Sequence, residues 1–132
     1  MQEKDMFVSE SEFRKDIQEL KKAVSNKDMK PIILFGESGI GKTPILSHIG
    51  GVHEIYKYGT PISNINSVVK DIIIESLNRG FHQEEQDRIL QHVFSINDLS
   101  LFNEIEKLGI FRCFKIRRTN YSVLSKILNE EL

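Results

Sequence analysis

One short stretch of this chain combines residue types that could bind phosphate. It reads Gly36-Glu37-Ser38-Gly39-Ile40-Gly41-Lys42-Thr43. This stretch matches the pattern G-x-x-x-x-G-K-[ST] at every fixed position. Its glycines allow the backbone to curl with N–H groups pointing inward at a helix N-terminus, where they can cradle phosphate oxygens. We expect Lys42 to reach the β- and γ-phosphates of ATP and Thr43 to ligate Mg²⁺.

The residues on either side predict the strand and the helix that such a loop needs. The apolar run 32–35 follows Pro31 and is typical of a strand buried on both faces. A helical pattern follows the loop and ends at Gly50 and Gly51. Pro44 disfavours the α-region at Thr43 and could shift its hydroxyl away from a metal. The alternative to a phosphate site is a glycine-rich turn before a helix.

Length and composition indicate a single globular domain over residues 1–132. The chain has 39% hydrophobic and 28% charged residues, with 18 basic and 19 acidic side chains. This balance implies no general attraction to nucleic acid or to a membrane surface, so we expect no direct nucleic-acid binding. We expect a cytoplasmic location, because the N-terminus lacks the apolar core of a signal peptide and no stretch approaches a membrane span.

The remaining elements follow from hydrophobic spacing and from capping residues. Ser9 and Glu12 form a capping box before an amphipathic helix over residues 10–25. The later segments are a strand at 52–58, a helix at 83–94, a helix at 98–108 capped by Asn97, a strand at 110–116 and a final helix after Asn120. We expect the last of these to bury Val123, Leu124, Ile127 and Leu128.

Residues 63–80 fit two structures. Their periodicity favours one helix that ends at Gly80. The competing interpretation makes 63–70 a short helix and 71–75 a buried strand, because Ile72, Ile73 and Ile74 favour β-structure and a parallel sheet needs a strand after each crossover.

Several residues outside the glycine loop carry groups that could take part in chemistry. His48 and His53 lack metal-ligand spacing, and Cys113 sits in an apolar run that favours a buried, unreactive thiol. The cations near the last strand could contact phosphates or nucleic acid, but a solvated strand end is favoured. They are Arg112, Lys115, Arg117 and Arg118.

The order of these segments resembles the ATPase domain of bacterial enhancer-binding proteins that activate sigma-54 RNA polymerase, within the AAA+ superfamily. The matching segments are the serine-capped helix, the strand 32–35 and the loop that begins Gly-Glu-Ser-Gly. The resemblance places Glu75 at the degenerate Walker B position, and makes Asn120 the sensor 1 residue. Asn120 could equally cap the last helix.

The same resemblance implies several departures. Ser76 stands where the family has the glutamate that activates water, so we expect weak or absent hydrolysis. The polymerase-contacting motif Gly-Ala-Phe-Thr-Gly-Ala does not occur, so sigma-54 remodelling is not expected. The arginine finger, the fifth strand and the helical lid are also expected to be missing.

Together these observations predict an α/β fold of the P-loop NTPase type. We expect an AAA+-like three-layer sandwich with a small parallel sheet in the order 1-4-3-2, lacking the C-terminal lid. Strand 1 would then be an edge, covered by a terminal helix or by another chain.

The predicted function is an ATP-binding regulatory domain with ATP and Mg²⁺ as ligands and a protein partner or a second copy as its target. One alternative is a compact ATPase or phosphotransferase in which Glu84, Glu85 or Asp98 supplies a carboxylate and Arg117 or Arg118 stabilises the phosphoryl group. Another is an interaction module with a vestigial phosphate loop.

Overall fold

Helices and strands alternate along the part of the chain that the structure describes. This structure is a computed structural model, and it describes residues 7–26, 30–37, 39–57, 64–79, 82–83 and 89–130. The helices are α1 (Glu10–Ser25), α2 (Lys42–Ile49), α3 (Ile65–Arg79), α4 (Leu99–Lys107) and α5 (Tyr121–Leu128). The strands are β1 (Ile32–Phe35), β2 (Val52–Lys57), β3 (His82–Gln83), β4 (Ile89–Ile96) and β5 (Arg112–Lys115).

Four of the strands form a parallel sheet in the order β2-β4-β1-β5. The two-residue strand β3 pairs antiparallel with the start of β4. Counting the long strands alone, the order is 2-3-1-4, so the predicted order 1-4-3-2 is wrong. The strand before the glycine loop is therefore not an edge, because it pairs with β4 on one side and with β5 on the other. The sheet therefore does not need the expected terminal helix or second chain to cover β1.

Helices cover both faces of the sheet, which makes the architecture a three-layer α/β fold. One core contains the buried faces of α1, α2 and α5 and the side chains of Ile32, Leu34 and Val93. The other core places α3 and α4 against Ile33 and Phe94. The side chains of β1 and β4 alternate between these two cores, as expected for strands buried on both faces.

The predicted helix 83–94 is wrong where the structure describes it, because Ile89–Ile96 is strand β4. The apolar residues of this segment fit one face of a helix. However, every residue from Leu90 to Ile96 is buried. A strand buried on both faces loses its alternating pattern, so its short apolar run can be mistaken for a helix.

The helical alternative for residues 63–80 is confirmed by α3, and the strand alternative at 71–75 is wrong. Ile72 is fully buried, whereas Ile73 and Ile74 are about 40% exposed, at 39% and 41%. One buried isoleucine out of three suits a helix that packs on one face only. Helix α1 is also confirmed, and Ser9 accepts a hydrogen bond from the Glu12 backbone N–H at 3.3 Å.

Within the described residues, no helix is long and apolar enough to cross a membrane.

Candidate phosphate-binding site

The glycine loop lies at the carboxyl end of β1, in the middle of the parallel sheet. The chain leaves β1 through α2 on one face of the sheet and leaves β4 through α4 on the other face. Adjacent strands whose connections diverge in this way open a crevice at their carboxyl ends, and such crevices are where open α/β sheets bind ligands. The Gly36 backbone N–H donates to the Ile96 carbonyl oxygen at 3.2 Å, which fixes the start of the loop to β4.

Two glycines of the loop have backbone angles that other residues rarely adopt. Gly39 has φ 83° and Gly41 has φ 94°. A Cβ atom on Gly41 would also lie 2.8 Å from Cδ2 of Leu124 on α5. Glycine is therefore required at position 41 both by the backbone conformation and by the close approach of α5.

Lys42 is a buried cation at the first position of α2. Its side chain is 8% exposed, and its Nζ atom donates to the Gly36 carbonyl oxygen at 3.0 Å. Burial lowers the pKa of Lys42 below its ordinary value, and the negative charge of Glu54 opposes this shift. The lysine therefore folds back over the loop instead of extending into solvent. Nζ has three donors, and the hydrogen bond to Gly36 uses one of them.

Thr43 lies beside an acidic side chain from β2. Its hydroxyl donates to Oε1 of Glu54 at 3.2 Å, and the Ser95 hydroxyl donates to Oε2 of the same carboxylate at 2.5 Å. Pro44 occupies the first turn of α2, where its missing N–H leaves no helical hydrogen bond unmade. The helix nevertheless begins at Lys42, so Pro44 leaves Thr43 in the first turn.

A narrow cleft of about 110 Å³ lies next to the loop, between the ends of β1 and β5. Glu37 and Arg118 form an ion pair of 3.0 Å at its wall. The Arg118 guanidinium also lies 6.0 Å from the ring centre of Phe7. Arg118 therefore contacts the loop through Glu37, and Lys115 and Arg117 also line the cleft.

The other three cations contact different parts of the fold. Arg112 donates to the carbonyl oxygens of Ala23, Asn26 and Lys30 at 2.9, 3.1 and 2.7 Å. Arg117 holds the buried carboxylate of Asp16 with three hydrogen bonds, of 3.1 Å from its backbone N–H and of 3.0 and 2.9 Å from its guanidinium. Lys115 Nζ lies 5.6 Å from the ring centre of Phe102. The favoured interpretation of a solvated strand end is therefore incomplete, since Arg112 and Arg117 join α1 to the sheet.

The degenerate Walker B position predicted at Glu75 loses its structural basis. Glu75 lies within α3, whereas a Walker B carboxylate lies at the end of a strand. Ser76, its neighbour, donates to the Ile72 carbonyl oxygen at 2.9 Å, an ordinary contact within a helix.

Asn120, the sensor 1 candidate, occupies the N-cap position of α5. Its backbone is extended, with φ −62° and ψ 145°, and its side chain makes no capping hydrogen bond in the described structure. Helix α5 approaches the loop at Gly41 through Leu124. Asn120 is therefore at the start of the helix that borders the loop.

Other predicted site residues fall outside the site or outside the described residues. Asp98, and not Asn97, caps α4 by accepting from the Leu101 N–H at 3.0 Å. Ser38, Glu84 and Glu85 lie outside the described residues.

Cys113, His53 and His92 lie on strands of the sheet. Burial raises the pKa of the Cys113 thiol to about 11, which keeps it protonated at neutral pH. Among the residues that the structure describes, no three His, Cys, Asp or Glu side chains cluster as a metal site. The rings of His53 and His92 are neighbours across β2 and β4, with centroids 5.5 Å apart.

Sequence reasoning missed Glu54 and Ser95 as members of this site. Glu54 is an acidic residue in the middle of a strand, and Ser95 is a hydroxyl within the buried run of β4. A polar residue inside an apolar strand is a signal in itself, because its group needs a partner once it is buried. Their proximity to Thr43 depends on β4 lying beside β2, which the wrong assignment of 83–94 concealed.

Comparisons of this chain with protein-family models, with curated proteins and with solved structures found no match.

Proposed function

We propose that this chain is an ATP-binding regulatory domain that takes up ATP with Mg²⁺ in the loop 36–43 and turns it over slowly or not at all. The observation that carries the proposal is the burial of Lys42 against the loop. A charged side chain is rarely buried without a partner that neutralises it. The Lys42 ammonium instead meets a neutral carbonyl oxygen at the mouth of a glycine loop. A phosphate group is the partner that this arrangement lacks.

The residues of the loop fit the phosphates of a nucleotide and their metal. The glycine backbone and the N-terminus of α2 would supply N–H donors, and Lys42 would supply a positive charge. The Thr43 hydroxyl is an oxygen donor of the kind that Mg²⁺ prefers, and the Glu54 carboxylate accepts its hydrogen. Mg²⁺ bound with ATP would neutralise charge on the phosphates. The residues of this chain would bind the nucleotide and orient it.

Slow turnover is proposed because the described carboxylates near the loop are already engaged. Glu37 pairs with Arg118, and Glu54 accepts hydrogen bonds from Thr43 and Ser95. Asp98 caps α4. A general base must be placed to take a proton from water, and the three carboxylates already accept hydrogen bonds or form an ion pair within the protein.

The resemblance to sigma-54-dependent activators remains part of the proposal only as an indication of a regulatory role. The strand order differs from the order that the resemblance implied, and Glu75 lies on a helix. The proposal therefore depends on the loop and its surroundings. A protein partner or a second copy that responds to the bound nucleotide would complete the regulatory function.

Isothermal calorimetry with ATP, ADP and GTP in the presence of Mg²⁺ tests this function. We expect ATP and ADP to bind the wild type and Lys42→Ala to lose at least about tenfold in affinity, as expected for removal of a charged hydrogen-bond donor. Lys126→Ala is the matched control, because Lys126 pairs with Glu10 on the surface of α5. Equal affinities in the Lys42 variant and the wild type would contradict the proposal. Absence of binding in both would indicate a vestigial loop.

Phosphate release from ATP should be measured on the same samples. We expect turnover far below the usual range of about 1–100 s⁻¹ for phosphotransferases. Rapid turnover that disappears in Lys42→Ala would instead support a compact ATPase.

A further inference from the structure

We infer that Glu54 positions the Thr43 hydroxyl for the Mg²⁺ of a bound nucleotide. The inference rests on the proposed function and adds to it a residue on β2, which the sequence motif does not contain. The structural basis is the chain of contacts from Ser95 through Glu54 to Thr43.

The Glu54 carboxylate is oriented by contacts at both of its oxygen atoms. Ser95 is 1% exposed, and its hydroxyl donates to Oε2 from within the sheet. Oε1 faces the exposed Thr43 at the start of α2 and accepts its hydroxyl hydrogen. One oxygen is therefore anchored in the sheet, while the other is presented to the loop.

This orientation matters for a hydroxyl that ligates a cation. Such a hydroxyl binds the metal through an oxygen lone pair, so its hydrogen must point to another acceptor. A carboxylate is a strong acceptor for that hydrogen. Groups that orient the ligands of a metal contribute strongly to its affinity. Glu54 meets these requirements by accepting the hydrogen of the Thr43 hydroxyl, and it therefore acts as a positioning residue.

The topology explains why a residue of β2 can take this role. β2 lies two strands away from β1 in the sheet, with β4 between them. Helix α2 leaves the loop and packs beside β2, which brings Thr43 to Glu54. The other nearby carboxylates have different contacts, since Glu37 pairs with Arg118 and Asp98 caps α4.

The test is the effect of Mg²⁺ on ATP affinity, measured by calorimetry with Mg²⁺ and with EDTA. In the wild type we expect Mg²⁺ to tighten ATP binding. In Glu54→Gln, which keeps an acceptor for Ser95, we expect the affinity in EDTA to stay within about twofold and the gain from Mg²⁺ to fall about 10–100-fold, up to its complete loss. Asp98→Asn is the matched control. This substitution removes one negative charge and keeps a good helix cap, so Mg²⁺ should increase ATP affinity as much as in the wild type.

A double-mutant cycle separates positioning from a general charge effect. In Thr43→Val, we expect Mg²⁺ no longer to tighten ATP binding. Adding Glu54→Gln to this variant should not weaken ATP binding in Mg²⁺ any further, because Glu54 acts through the Thr43 hydroxyl. Additive losses would overturn the inference, as would a full gain from Mg²⁺ in Glu54→Gln. Thr43 is exposed, so its variant tests the inference even if Glu54→Gln folds poorly.

Failure of the inference and failure of the proposed function give different results. If wild-type affinity is the same with Mg²⁺ and with EDTA but falls in Lys42→Ala, the inference is wrong and nucleotide binding stands. If the wild type binds ATP in neither condition, both are wrong.

Discussion

A positively charged side chain lies near each end of the central strand β1, and the two side chains have different sets of hydrogen-bond partners. At its amino end, Arg112 lies opposite Ile32 in the sheet and donates to three backbone carbonyl oxygens. At its carboxyl end, Lys42 is 8% exposed and donates to one carbonyl oxygen, that of Gly36. Both cations are held by backbone atoms, but the guanidinium connects three separate positions of the chain. The ammonium only folds back on its own loop.

This difference is the one expected between a structural cation and a cation placed for a ligand. The partners of Arg112 lie at the end of α1 and in the segment before β1, so its hydrogen bonds join elements of the fold. Lys42 is placed where burial disfavours its charge and where no described carboxylate forms an ion pair with it. Functional groups are often found in such unfavourable settings, because a ligand supplies the missing interaction.

Removing Arg112 should produce the largest loss of stability. We expect Arg112→Ala to lower the free energy of unfolding by about 2–3 kcal/mol, since charged hydrogen bonds to three carbonyl oxygens are lost. Nucleotide affinity should stay within about twofold of wild type. Arg14→Ala is the control, because Arg14 pairs with Glu10 and Glu130 on the surface, where ion pairs are screened by solvent and contribute little to stability. Urea denaturation measures both, and equal losses would remove the structural role given to Arg112.

A substitution in the glycine loop should combine a smaller stability loss with a loss of binding. We expect Gly41→Ala to lower the free energy of unfolding by about 2 kcal/mol, because it adds strain at φ 94° and a close contact with Leu124. Gly109→Ala is the matched control, since Gly109 has φ 67° and open space around it, and we expect a loss of about 1 kcal/mol. Denaturation followed by calorimetry should show lost ATP binding in the Gly41 variant alone. Equal losses of stability in the two variants would mean that α5 does not restrict the loop.

The pH dependence of stability should show a smaller effect of Lys42. Its pKa is lower in the folded chain than its ordinary value of 10.5, so the unfolded chain binds the proton more tightly. The free energy of unfolding of the wild type should therefore rise, relative to Lys42→Met, as pH increases through the lowered pKa toward 10.5. Denaturation of the two proteins between about pH 8 and pH 10 measures this difference. A difference that stays constant with pH would mean that the ammonium is well solvated.

Much of the fold could be predicted from local patterns. Ser9 defines the start of α1 by capping, and Gly50 marks the end of α2. The loop was predicted from its spacing alone, and its positions Gly39 and Gly41 have the positive φ angles that only glycine adopts readily.

The strand order could not be predicted, because it depends on one misassigned segment. β4 is buried on both faces, so its sequence lacks the alternation that identifies a strand. With residues 83–94 assigned to a helix, the segment 71–75 is the one left to supply a strand between the helices, and the resemblance then places Glu75 at the end of that strand. The partnership of Glu54 with Thr43 is a tertiary contact between residues 11 positions apart, and no local pattern encodes it.

We infer that Lys42 is placed for a ligand and Arg112 for the fold. Urea denaturation of the wild type, Lys42→Ala and Arg112→Ala, each with and without Mg²⁺ and ATP, tests this difference. At a ligand concentration about 100 times its Kd, binding to the folded state adds about 2.7 kcal/mol. We predict this increment for the wild type and for Arg112→Ala, and an increment of at most about 1.4 kcal/mol for Lys42→Ala, because a tenfold loss of affinity leaves the ligand at about 10 times its Kd. An equal increment in all three proteins, or its loss in Arg112→Ala alone, would contradict the account.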